Sequence, residues 1–170
     1  MSSTDFHPFN PNSHPSLTLY SDEWSDRPVD IFCSLRFAEA MEQAKQVQEI
    51  LRRDHNVNAF IVATENGDNI MDQIVAAISE AKMAILFGTV TYGKGTAACF
   101  STKEELQFVS DENKPYFLIK MCERFSEART RMVLNNSVMY NLWLPGTPMP
   151  AELVKNIMDK FQRVSSDAAV

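Results

Sequence analysis

Five short apolar runs punctuate this chain, and the segments between them repeat their apolar residues every three or four positions. The runs are 29–34 (VDIFCS), 59–63 (AFIVA), 83–87 (MAILF), 115–119 (PYFLI) and 138–144 (VMYNLWL). In 38–53, Ala40, Ala44, Val47 and Leu51 fall at steps of 4, 3 and 4, one face of a helix. Ile70, Ile74, Ile78 and Ala81 mark a second helix, preceded by the turn and cap signal Asn66-Gly67-Asp68-Asn69. A third spans 103–109, with Ser101 and Thr102 as candidate caps. Pro150 opens a last helix carrying Leu153, Ile157 and Phe161.

The order therefore reads β-α-β-α-β-α-β-α-β-α. Strands joined by crossover helices make a parallel sheet, and continuous apolar runs are expected where helices cover both faces. The expected architecture is α/β: a flavodoxin-like three-layer domain with a five-stranded parallel sheet. Residues 1–28, interrupted by Pro8, Pro11, Pro15 and Pro28, read as a flexible arm. The folded unit is expected over 29–164, and 165–170 as a frayed tail. Ligands of such sheets bind beyond the carboxyl ends of the strands. That points to the loops 34–38, 64–69, 88–102 and 120–126.

Composition narrows the function. The 170 residues hold 16 Lys plus Arg against 22 Asp plus Glu, a net charge of −6. Nucleic-acid and membrane-surface binders need basic faces, so neither partner is expected. No apolar run is long enough to span a bilayer, and the first residues carry no secretory signal. Cys33, Cys99 and Cys122 are widely spaced, and His7, His14 and His55 have no ligand-like neighbours. Reduced thiols in a cytoplasmic protein are expected, with no metal and no Cys/His catalysis.

The loop after the third run, Gly88-Thr89-Val90-Thr91-Tyr92-Gly93-Lys94, spells GxxxxGK. Gly95 stands where a P-loop needs a hydroxyl for magnesium, and the next strand ends in Lys120 instead of Asp. A receiver domain would need acidic residues where Gly88 and Ser34-Leu35-Arg36 stand. A flavin phosphate cradle would need small polar residues where Leu35-Arg36-Phe37 stands. What remains is a carboxylate beside a loop, Glu104-Glu105, at the start of the third helix.

The residues in order resemble a TIR domain over about 29–163. Asp30-Ile31-Phe32-Cys33-Ser34-Leu35-Arg36 is similar to the family's first-strand box. Residues 74–87 look like its second helix running into the third strand. Tyr92, Cys99 and Glu105-Leu106 resemble the stretch carrying its Tyr, Cys and Glu-Leu pair. Residues 138–145, with Trp143, resemble its late aromatic segment. Many TIR domains cleave NAD between nicotinamide and ribose, giving ADP-ribose or a cyclic product. Others are non-enzymatic modules that signal by self-assembly. The resemblance implies Glu105 as the catalytic carboxylate, with Glu104 as the register alternative. It implies Ser34, Arg36 and Tyr92 around the substrate, with Phe37 or Phe100 in place of the aromatic that the family often carries before its Cys, where Ala98 stands here, and no cofactor beyond NAD as substrate. The loop of Asn66, Gly67, Asp68 and Asn69 is implied in TIR–TIR contacts.

The chemistry fits these residue types. Nicotinamide leaves as a neutral ring, so little acid catalysis is required. A single carboxylate can stabilise the oxocarbenium-like ribose by opposite charge. Phe37 or Phe100 can wall the nicotinamide, and Arg36 can pair with the pyrophosphate. The glycines of 66–67 and 93–95 suggest mobile loops, held in place only on self-association.

Overall fold

In the computed structural model, residues 23–62, 70–96, 101–135 and 140–168 are described. Among these residues five strands alternate with five helices: β1 (Ile31–Ser34), α1 (Phe37–His55), β2 (Ala59–Phe60), α2 (Ile70–Glu80), β3 (Met83–Gly88), α3 (Thr102–Asp111), β4 (Tyr116–Lys120), α4 (Ala128–Leu134), β5 (Tyr140–Leu142) and α5 (Leu153–Asp167). All strand pairs are parallel, in the order β2-β1-β3-β4-β5. This is the flavodoxin-like doubly wound order, with its switch point between β1 and β3.

Side chains alternate across the sheet and build two cores. On one face Ile31, Cys33, Ile85, Phe87 and Ile119 pack against Ala44, Val47 and Leu51 of α1 and Leu153, Ile157 and Phe161 of α5. On the other, Phe32, Ala84, Leu86 and Leu118 meet Ile74 and Ile78 of α2, Leu106 and Val109 of α3 and Leu134 of α4. The apolar face read in 38–53 is thus the buried face of α1. No helix among the described residues is long and apolar enough to cross a membrane.

Several boundaries differ from the sequence reading. The second run pairs only at Ala59–Phe60, and the last only at Tyr140–Leu142; Val138 and Met139 lie outside the described residues. β5 is an edge strand, so Tyr140 and Leu142 stay half-exposed and the burial expected of a covered run is absent there. Within the expected arm, residues 24–28 are tied down. Asn58 Nδ2 donates to the carbonyls of Trp24, Arg27 and Pro28, and the Arg27 guanidinium lies 4.2 Å from the Trp24 ring centre. At the other end α5 continues to Asp167, past the expected tail boundary. Cys33 and Cys122 are buried free thiols; burial pushes Cys33 up to about 12, out of the reactive range.

Candidate functional site

β1 ends in Ser34, whose side chain falls on the α2–α3–α4 face, among apolar neighbours. A hydroxyl at such a position needs partners. Two arrive from the neighbouring connection. Tyr92, in the loop after β3, brings its phenol oxygen to 2.6 Å from Ser34 Oγ, and Ser34 Oγ donates to Glu105 Oε2 in the first turn of α3. All three are buried: Ser34 and Tyr92 are 0% exposed and Glu105 is 7% exposed. The cluster lies at the carboxyl ends of β1 and β3, the switch point of the sheet.

The α3 N-terminus is built by its own sequence. Ser101 caps it, accepting from the Lys103 N–H at 3.3 Å, and the Ser101 N–H donates to Glu104 Oε2 at 2.8 Å. This reciprocal capping box ties Glu104 to the backbone, and the Ser101 hydrogen bond holds its carboxyl below the usual carboxylate range. Glu105, one residue on, turns inward. Burial pushes it up to about 7, against the Ser34 hydrogen bond, with the Glu104 charge adding to the rise. The helix N-terminus favours an anion there by only about 0.3–1 kcal/mol, less than desolvation costs. Tyr92 is raised well above its ordinary value, by burial and then by the Glu105 charge, so its phenol keeps its proton.

Hydrogen bonds tie the described part of the loop carrying Tyr92 to its neighbours. Thr130 Oγ1, on α4, donates to the Tyr92 carbonyl at 2.8 Å, and the Gly93 N–H donates to Thr102 Oγ1 at 3.0 Å. Gly93 has φ +83, and a Cβ there would sit 2.0 Å from Thr130 Oγ1. Its glycine serves a fixed left-handed turn packed against α4. Thr130 and Thr102 escaped the sequence reading as site-supporting residues.

A second polar group lies on the rim. Arg36 Nε meets Glu39 Oε1 at 3.3 Å and its Nη1 donates to the Lys94 carbonyl at 3.1 Å, while the Thr91 hydroxyl donates to Glu39. Burial works to raise Glu39, but the Thr89 and Thr91 side chains, the Arg36 charge and the Thr91 backbone outweigh it and hold Glu39 low. The spacing Arg36-x-x-Glu39 at a helix start is the signal that would have found this pair. Phe37 follows at the start of α1, 38% exposed. The structure therefore brings Ser34, Tyr92 and Glu105 together and binds Arg36 to the same loop through Lys94. Phe100, Cys99 and the loop of Asn66, Gly67, Asp68 and Asn69 lie outside the described residues.

Two clefts open elsewhere. One, of about 730 Å³, lies along the β2 edge between Trp24, Gln48, Phe60 and Ala77. The other, of about 770 Å³, lies between Lys120, Arg124, Arg131 and Tyr140. Neither is lined by Ser34, Tyr92 or Glu105. No protein-family model matches this chain, and comparison with curated proteins finds no significant match.

Proposed function

We propose that this chain is an NAD-cleaving enzyme of TIR type, in which Glu105 is the catalytic carboxylate. The observation that carries the reading is a single carboxyl, buried at the sheet's switch point and hydrogen-bonded to a hydroxyl instead of a cation. A carboxylate matched to a cation inside the protein would already be neutralised. One held by Ser34 alone among the described residues keeps its field for a positive charge that develops in a substrate.

The bond broken is the N-glycosidic bond between C1 of the ribose and the nicotinamide nitrogen. Its electron pair leaves with the ring, which becomes neutral, and the ribose passes through an oxocarbenium-like state. Ionised Glu105 stabilises that state by charge. Water then adds at C1 to give ADP-ribose, with loss of a proton, or an adenine nitrogen of the same molecule adds to give a cyclic product. Arg36, on the rim, pairs with the pyrophosphate, and Phe37 offers an apolar wall to the leaving ring.

Incubation of the purified chain with NAD, with free nicotinamide as the readout, tests the reading. Nicotinamide release that depends on Glu105 supports it. No release over a broad range of protein concentration overturns it, in favour of a TIR module that signals by assembly alone.

A further inference from the structure

We propose that Ser34, Tyr92 and Thr130 are positioning residues that hold and tune the Glu105 carboxyl, and do not contact substrate. The inference rests on the reading of Glu105 as the working carboxyl, and deepens it. The sequence resemblance had implied Ser34 and Tyr92 as substrate contacts. Both are 0% exposed, and the single proton of each hydroxyl is used inside the protein.

The direction of the hydrogen bonds follows from counting protons. A serine hydroxyl has one proton. With Glu105 ionised, Ser34 gives it to the carboxylate, so the 2.6 Å contact with Tyr92 is made by the Tyr92 proton pointing at Ser34 Oγ. Burial keeps that proton on Tyr92. The chain Tyr92→Ser34→Glu105 thus ends with a hydroxyl aimed at the carboxylate from inside the fold, and each donor polarises the next. Its far end is anchored as well. Thr130 grips the Tyr92 carbonyl from α4 and leaves no room for a side chain at Gly93. Three elements, β1, the loop after β3 and α4, therefore converge on one carboxyl of α3.

The electrostatics around Glu105 are short. Among the described residues, Glu104 on its own helix raises it, Ser34 from β1 lowers it, and Tyr92 from the loop after β3 is uncharged. Ser34 is the one side chain among the described residues that favours the ionised form of Glu105.

The test is titration of the Glu105 carboxyl by carbon NMR in the full chain, which needs no substrate. A hydrogen bond to a charged group should hold the pKa down by about one to two units. Ser34→Ala is therefore expected to raise the Glu105 pKa by about that amount. It should also move the alkaline-rising limb of the NAD-cleavage profile by the same interval. Tyr92→Phe, which keeps the ring, should move the titration upward by less. Thr130→Val should do the same alone, and add nothing further in the Tyr92→Phe background if it acts through Tyr92. If Ser34→Ala does not fold, the Tyr92 and Thr130 variants carry the test. A Glu105 titration unmoved in the variants that fold overturns the inference, whether or not NAD is cleaved. A shifted titration without nicotinamide release sustains the coupling and overturns the catalytic reading.

Discussion

Replacing Glu105 by glutamine should make the protein's stability less dependent on pH. If Glu104-Glu105 were an ordinary solvated pair at a helix start, the substitution would be worth less than about 1 kcal/mol at any pH. The structure overturns that expectation, because Glu105 is buried and raised from 4.5 to about 7. The sign follows from which state binds more protons. The folded pKa lies above the unfolded one, so stability is full below 4.5, where both states are protonated, and falls as pH rises toward 7. Above 7 the loss is complete. A rise of about 2.5 units at about 1.4 kcal/mol per unit makes it about 3 kcal/mol. Glutamine keeps an oxygen for Ser34 but cannot ionise, and the burial of its amide adds a cost that does not vary with pH. The difference between Glu105→Gln and the wild type therefore isolates the carboxyl. Urea unfolding of both proteins from about pH 4 to about pH 8 should show that difference moving by about 3 kcal/mol in favour of glutamine. A difference that stays flat across the range, or moves toward the wild type, would refute the burial argument.

Other expected outcomes concern the frame of the site. Glu104→Ala breaks the capping box and should cost about 1 kcal/mol of stability in thermal unfolding, while leaving NAD cleavage in place. Gly93→Ala puts a Cβ into Thr130 Oγ1 at a left-handed backbone position, and should destabilise by about 2 kcal/mol or more in urea unfolding. If cleavage needs ionised Glu105, kcat/KM should rise with pH through about 7 and level off above it, whereas activity that falls over that interval would contradict the assignment.

The sheet was legible because parallel strands covered on both faces are nearly continuously apolar, and 31–33, 83–87 and 115–119 are. Helical period gave the buried face of α1 directly, residue for residue. The edge strands were less legible. Ala59–Phe60 and Tyr140–Leu142 belong to equally apolar stretches, and apolarity does not say how many neighbours a strand has. At the site, Ser34 and Glu105 were identifiable as candidates, but their burial was not. Two glutamates before a leucine read as a solvated helix start, and only the path of α3 over the sheet turns the second one inward. The choice between them was nonetheless written in the spacing: Ser101 and Glu104 stand three apart, as a capping box requires, which engages Glu104 with the backbone. Thr130 had no such signal, because its role depends on the loop after β3 folding back onto α4 through Gly93.

Whether one buried carboxylate cleaves NAD is decided by comparing nicotinamide release from the wild type, Glu105→Gln and Glu104→Gln at a common concentration and slightly alkaline pH. Release is expected from the wild type and from Glu104→Gln, with a loss of about two or more orders of magnitude in Glu105→Gln, equivalent to about 2.7 kcal/mol of transition-state stabilisation or more. Nicotinamide released at the wild-type rate by folded Glu105→Gln would contradict that expectation.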